Sequence, residues 1–464
     1  MGKAAMPRKR GTCPVLSRLP GGEGKAGEGA GPLLAIARKW SIIPRVPCVM
    51  LRGATIKFHK DTIMSEALER LKEREKSLMC RTYSRYPLGI VRGRGARLWD
   101  VDGKEYVDLL AGIAVIGLGH CNEEIAEVMA EQSRKLVHVS NLFYQEEQLD
   151  YAEKLLSTSH AGKVFFCNSG AESNEAAIKI ARRYQRVVKG RDAWEIITLS
   201  NCFHGRTLAT LAATGKHTEG FEPETPGFGR VQWGDLDALE KAIRPTTAAV
   251  LFEAIQGEGG IIPVTQEYAD GIVEICRRHG VLVMCDEVQA GMGRSGKWWG
   301  FQNFNLKPDV FTSAKSMANG LPLGAMMATD EVAQGFDYGS HATTFGGGAL
   351  VTAVGRKVLE IMERDHLVER AALLGDRARA RFRALGEKLG GVIRDVRGMG
   401  LLIGVELDMS DEKARKVWLT LMERGFILNL TYGPTLRLLP PLTIDEADLV
   451  AFTEALEKVL REVA

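Results

Sequence analysis

Asp286 and Lys315 are the residues whose type and setting point most directly to chemistry. Asp286 closes the run VLVMCDEVQ (281–289), in which Val281 to Cys285 are hydrophobic. A short apolar block preceded by Arg-Arg-His-Gly predicts a strand buried on both faces of a parallel sheet. The carboxyl end of such a strand is where open α/β sheets hold their ligands. Lys315 lies in KPDVFTSAKSMANGLPLGA (307–325), between a strand-like DVFTS and a Gly/Pro turn. An amine confined in a desolvated pocket gives up its proton more easily and becomes a nucleophile toward carbonyl carbon. A Schiff-base lysine, with an aspartate facing a pyridinium nitrogen, is the protein's contribution to pyridoxal phosphate chemistry. A buried acid at a strand end is also a common structural hydrogen-bonder, so the pair needs support from its surroundings.

Three further stretches supply candidates. KVFFCNSGAESNEAAIKIARRY (163–184) reads as strand, tight turn and helix, with Asn168, Ser169, Gly170 and Ala171 in the turn. The free N–H groups of a helix start, flanked by small residues, let a phosphate approach the backbone. An ordinary Ser-capped turn has the same pattern. In NCFHGRTLATLAATG (201–215), Phe203 follows strand-like EIITLS and can stack on a flat ring. Arg206 can grip a carboxylate bidentately. Equally, Phe203 could belong to the core and Arg206 to a surface ion pair; His204 reads as a packed hydrogen-bonding residue rather than a base. AAVLFEAIQGEGGI (248–261) ends in Gln256-Gly257-Glu258-Gly259-Gly260, where glycines bring backbone close to a site and Glu258 can meet a cation.

The elements that position these residues follow from the same pattern. A helix is predicted from near Ser65, and RLWDVDGKEYVDLL alternates around Asp102-Gly103, a hairpin signal. From about Gly119, helical stretches alternate with the apolar runs KVFFCNS, EIITLS, AAVLFEAI, VLVMCDEV, DVFTSAK and GAMMA. That alternation predicts a mostly parallel sheet wrapped by helices. After Gly348 a long charged helical stretch (354–385) leads to strand-like VRGMGLLIGVEL, a helix over KARKVWLTLMERG, strand-like TLRLLPPLTI and a final helix. This reads as a small α+β domain completed by the N-terminal hairpin.

At 464 residues, two domains are the natural expectation. The net charge of +3 conceals an asymmetry: residues 1–60 hold twelve Lys/Arg against Glu23 and Glu28, leaving −7 for the rest. The basic head contains GGEGKAGEGAG, a composition expected to be disordered. A start at Met64, a flexible tail and an organelle transit peptide compete as explanations for it. Nucleic-acid binding ranks last, because neither aromatic interleaving nor a recognition helix is visible. No apolar stretch reaches the roughly 18 residues that cross a bilayer. Eight cysteines occur without a C-x-x-C pair or zinc spacing, which predicts reduced thiols, a cytoplasmic setting and no metal.

The blocks NSGAESNEAAIKIARRY, FHGRT, EAIQGEGG, DEVQAGMGRSG, TSAK, LPLGA, HATTFGG and RGMGLLIGVEL occur in one order. Each resembles a block of the class III aminotransferases, and the resemblance runs from about Tyr83 to the C-terminus. AGIAVIGLGH (111–120) is most similar to the acetylornithine branch; ornithine δ-aminotransferases usually carry an aromatic residue there.

The resemblance implies a fold-type-I, pyridoxal 5'-phosphate-dependent α/β enzyme with a mostly parallel seven-stranded sheet and a small α+β domain. The expected portions are a basic extension (1–63), an N-terminal segment of the small domain (64–118), a large cofactor-binding domain (119–348), and a connecting helix with the small domain (349–464). Lys315 matches the lysine that joins the cofactor, and Asp286 the partner of its ring nitrogen. Val288 and Phe203 would flank the ring, with Gln289 near its hydroxyl. Ser169, Gly170 and Ala171 fall in the phosphate turn, and Glu287 is grouped with the cofactor residues. Thr344 matches a threonine that reaches the neighbouring subunit's phosphate, which implies a homodimer with shared sites. Arg206 would hold the acetylornithine carboxylate beside Thr343, and Arg437 the α-carboxylate of glutamate, masked in turn by Glu258.

The implied reaction transfers the terminal amine of N2-acetyl-L-ornithine to 2-oxoglutarate, giving N-acetyl-L-glutamate 5-semialdehyde and L-glutamate. Ornithine, succinylornithine, succinyl-diaminopimelate and 4-aminobutyrate are rival donors, and a cofactor-binding regulator is a remote alternative. Met317, Asn319 and Gly348 depart from many relatives, at positions away from the reacting atoms.

Overall fold

The computed structural model describes residues 65–463; the extension anticipated over residues 1–63 lies outside them. Ser65 caps the first helix, Glu66–Leu78, its hydroxyl accepting from Leu68 N at 3.2 Å. Capping of this kind satisfies a backbone donor that the helix itself leaves free.

The six apolar runs become six strands of one seven-stranded sheet. Its spatial order is Lys163–Cys167, Gly324–Ala328, Val310–Ser313, Leu282–Asp286, Thr247–Phe252, Glu195–Leu199 and Phe228–Val231. The last five pair in parallel, while Gly324–Ala328 runs antiparallel to both neighbours. Leu282–Asp286 lies in the middle with every residue buried, as its unbroken hydrophobicity requires. The seventh strand, Phe228–Val231, escapes the sequence pattern. It sits at an edge, with Gly229 and Arg230 exposed, so no apolar run announces it.

The chain ends come together in two smaller sheets. Arg97–Asp100 and Glu105–Asp108 form the expected hairpin, and Gly103 takes the left-handed φ of +80° that its turn requires. Glu105–Asp108 also takes Phe426–Ile427 in parallel, which joins the N-terminal segment to the C-terminal part. An antiparallel sheet links Ile393–Met399, Leu402–Leu407, Thr435–Leu438 and Asn429–Leu430 in that order.

The described residues form one compact unit. A single buried apolar cluster runs from Tyr106 through Phe252 and Phe311 to Leu460. The boundaries expected near 118 and 348 are thus changes of topology without a gap in the core. A second difference lies in the charged stretch 354–385, which was expected as one helix. It divides into Ala349–Arg364 and Leu367–Lys388, because His366 adopts a left-handed φ of +50°. Neither Gly nor Pro marks that break. Among the described residues, no helix is long and apolar enough to cross a membrane.

Helix Leu367–Lys388 docks through Gly375, where an added Cβ would lie 1.8 Å from the Gly400 carbonyl oxygen. Gly375→Ala should therefore cost about 1–3 kcal/mol, the usual penalty for overpacking. Thermal and denaturant unfolding measure it, and an unchanged stability would mean that the helix does not approach that turn.

Candidate active site

A cavity of about 420 Å³ opens at the carboxyl ends of the central strands. Asp286 forms its floor, only 4% exposed. One carboxylate oxygen accepts from Asn174 Nδ2 at 2.7 Å and lies 2.8 Å from His204 Nδ1. The other accepts from Val288 N at 3.0 Å. Asn174 is itself oriented by Thr312 Oγ1, which donates to its Oδ1 at 2.8 Å. A buried carboxylate is tolerated only when its oxygens are hydrogen-bonded in this way. Burial opposes a charge on His204, yet Cys202 and the Asp286 carboxylate outweigh it and raise the imidazole well above its ordinary value. His204 therefore serves as a buried hydrogen-bonding partner of the acid.

Lys315 follows strand Val310–Ser313 on a left-handed residue, φ +48°, at the start of the turn Lys315–Ala318. Strained backbone at a non-glycine position persists only where the surroundings enforce it. Its side chain lines the same cavity as Asp286. Burial, and then the nearby Arg437 guanidinium, push its amine down to about 8. A substantial fraction is then the free base near neutrality, the form that attacks carbonyl carbon.

The walls come from three elements. Ser169 caps helix Gly170–Arg183, its Oγ accepting from Glu172 N at 3.2 Å, and the cavity meets this helix start at Gly170 and Ala171. A Cβ on Gly170 would come within 2.6 Å of Val288 Cγ1, so glycine is what lets the two walls meet. Phe203 supplies another face, and the exposed Arg206 sits over its ring with 5.5 Å between guanidinium and centroid. At the far end Arg437, 1% exposed on strand Thr435–Leu438, pairs with Glu258. Its Nη1 also donates to Gln289 Oε1 at 3.2 Å, and its Nε to Asn429 Oδ1 at 3.2 Å.

Two groups of expected residues lie elsewhere. Glu287 faces away from the cavity: its carboxylate accepts from Gly300 N at 2.6 Å and Phe301 N at 2.9 Å, fastening the turn Gly300–Phe304. It does not line the cavity. Thr343 and Thr344 line a neighbouring cavity of about 310 Å³, with Phe165, Glu172 and His341. The two cavities share Asn168, whose Nδ2 donates to Thr343 Oγ1 at 3.2 Å.

Three residues were missed. Asn174 orients Asp286, and its signal was a polar side chain on the inward face of an otherwise apolar helix. Glu253 lines the cavity at the end of Thr247–Phe252. Asn319, noted only as a departure, accepts from Leu118 N at 2.9 Å and donates to Gly119 O at 3.2 Å. It thereby ties the stretch after Lys315 to residues 115–119, of which Val115 lines the cavity.

The arrangement suits a flat heterocycle that carries an aldehyde and a phosphate. Small residues at the start of a fourteen-residue helix would meet the phosphate, Phe203 and Val288 would flank the ring, and Asp286 and Lys315 would be left for its nitrogen and its aldehyde.

Residues 78–460 match the family model described as Aminotransferase class-III. The chain is 40% identical over 395 residues to the acetylornithine aminotransferase of Methanocaldococcus jannaschii, covering 84% of this chain and 97% of that protein. It is 42% identical over 378 residues to the succinylornithine transaminase/acetylornithine aminotransferase of Pseudomonas aeruginosa, covering 81% and 92%. Among solved structures, ornithine aminotransferase from Toxoplasma gondii superposes with a TM-score of 0.81 at 30% identity, covering 89% and 99%. Acetylornithine aminotransferase from Elizabethkingia anophelis superposes with a TM-score of 0.76 at 33% identity, covering 85% and 99%.

Removing the Arg437 charge should raise the Lys315 amine above about 8, since that guanidinium opposes its proton and Glu258 would be left unpaired beside it. Labelling of Lys315 by an amine-specific reagent across pH should accordingly shift to higher pH in Arg437→Met. An unchanged titration would mean that the two groups do not sense each other.

Proposed function

The chain belongs to the class-III aminotransferases, and on that premise we propose that it transfers the terminal amino group of N2-acetyl-L-ornithine to 2-oxoglutarate. The products are N-acetyl-L-glutamate 5-semialdehyde and L-glutamate. The observation that carries this reading is the convergence of Lys315, Asp286, Arg206 and Glu258 on one cavity, with Arg437 paired to Glu258 behind it, in a chain 40% identical to a named acetylornithine aminotransferase.

Pyridoxal 5'-phosphate, when bound, supplies an aldehyde carbon for the amine and a heterocycle that takes up electrons from the substrate carbon. Asp286 holds the ring nitrogen in its protonated form, because its carboxylate is fixed by Asn174, His204 and the Val288 amide. Phe203 and Val288 keep the ring plane in place, and Gly170 and Ala171 receive the phosphate on backbone N–H groups. Lys315 would hold the cofactor through Nζ. Once free, its amine is the group that would take a proton from the substrate's amine-bearing carbon as base and give it up again as acid.

Arg206 stands exposed at the rim, where a bidentate grip on the α-carboxylate of acetylornithine places the distal amine inside. Arg437 is occupied by Glu258 and becomes available when that carboxylate swings away. 2-Oxoglutarate and glutamate would then be read by Arg437, and acetylornithine by Arg206 with Glu258 closed. One cavity thus accepts two substrates of different length.

Assembly as a homodimer is part of the same reading. Thr344 lines a separate cavity open beside the first, and Phe345 (67% exposed) leaves apolar surface on its wall. A second copy covering that face would bring its own Thr344 toward this chain's phosphate position. A cytoplasmic setting fits the six free cysteines among the described residues.

Acylated donors with a longer tail form a second reading, supported by the doubly named Pseudomonas relative. A donor panel with 2-oxoglutarate separates them: acetylornithine should give the highest kcat/KM, ahead of succinylornithine, ornithine and 4-aminobutyrate. A higher value for any of the others would reassign the donor. Lys315→Ala should lower kcat by at least about 10³-fold with the fold retained; near-normal turnover would remove Lys315 from the mechanism.

A further inference from the structure

Glu253 lines the cavity yet has no part in the reading above. It follows Phe252, which pairs in parallel with Cys285, so Glu253 and Asp286 stand side by side at the ends of adjacent strands. It is 5% exposed. One carboxyl oxygen accepts from Phe203 N at 3.2 Å, the other from Gly257 N at 3.0 Å. Phe203 is the ring-face wall, and Gly257 precedes Glu258, which masks Arg437. The Gln289 side chain packs directly on Gly257, where an added Cβ would meet its Oε1 at 2.4 Å. Glu253 therefore clamps two walls of the cavity that belong to different strands.

A second negative charge beside Asp286 would be costly in so dry a place. The ionisable groups facing Glu253 are Asp286, His204, Glu287 and Lys315. Burial, against the His204 charge and with the Asp286 charge, pushes the Glu253 carboxyl up to about 7. The two backbone N–H bonds favour the anion but do not overcome burial.

We propose that Glu253 is a positioning residue that acts as the uncharged partner of Asp286. It keeps its proton below neutrality, joins the Phe203 wall to the 256–260 turn, and adds no second charge beside Asp286. Once ionised, it adds a negative charge that holds the Lys315 proton more tightly. The clamp thus couples the state of one acid to the base. Only this effect on the reaction rests on the function proposed above; the protonation state of Glu253 does not.

Full-length, cofactor-loaded protein and its Glu253→Gln variant test the assignment by infrared difference spectroscopy and thermal unfolding, from about pH 5 to about pH 9. Wild type should show a protonated-carboxyl band that fades through about 7 and is missing in the variant. Glu287→Gln identifies the contribution of the other buried acid, which burial raises to about 8. The native state keeps a proton that the unfolded chain loses above the ordinary value of 4.5. Wild type should therefore lose stability relative to Glu253→Gln as pH rises from there to about 7, with a constant difference beyond. The change in kcat with pH around neutrality should also flatten in the variant.

Absence of a Glu253 band, or a variant that loses stability relative to wild type as pH rises, would overturn the proposal. Should the variant not fold, because its amide nitrogen cannot accept from Phe203 N or Gly257 N, the wild-type band that persists in Glu287→Gln decides the assignment, and its absence overturns it. A normal band in a protein inactive on acetylornithine would overturn only the donor assignment.

Discussion

The Asp286 carboxylate, fixed by three donors at the end of a fully buried strand, is the constraint on which the rest of the cavity depends. An unpaired buried charge would cost several kcal/mol. Each donor therefore has to be where it is, and each belongs to a different piece of chain. Asn174 fixes the helix whose start meets the phosphate position, His204 fixes the Phe203 segment, and the Val288 amide fixes the turn that bears Gln289. Satisfying one acid thus sets three walls at once.

The remaining precision comes from backbone held in unfavourable shapes. Ala111, Gly112, Ile113 and Ala114 all have left-handed φ, between 49° and 65°. They lead into Val115 at the cavity wall. Asp108 holds the start of this turn by accepting from Leu110 N at 2.9 Å and Ala111 N at 2.8 Å, with His120 Nε2 at 2.7 Å on its other oxygen. Lys315 is left-handed too, and Asn319 braces the loop that follows it against the same segment. Strain of this kind costs of order 1–3 kcal/mol per residue and survives only where packing over-determines it. Two such stretches, 111–114 and 315–319, border the cavity.

Much of the fold was legible because strands buried on both faces leave unbroken apolar runs. Leu282–Asp286 needed no partner to be seen, whereas Phe228–Val231, half exposed at the edge, left no such trace. The division at His366 was invisible because helix-forming residues flank a left-handed turn that no Gly or Pro announces. Of the site, Lys315 and Asp286 could be read from their local setting and Glu258 as an acid able to meet a cation, but Arg437 came from resemblance alone. Glu287 lies between two cavity residues yet is turned toward the Gly300 and Phe301 amides, a placement set by a distant turn. Asn174 left only a polar position on an inward helix face, and Glu253 reaches the site through the meeting of adjacent strands, which no local pattern encodes.

The central claim is that the Lys315 amine joins the cofactor opposite Asp286. Borohydride reduction of the cofactor-loaded protein, followed by peptide mass mapping, tests it most directly. The account predicts a pyridoxyl group fixed on Lys315. A label on a different lysine, or an unmodified Lys315 peptide from fully loaded protein, would contradict it.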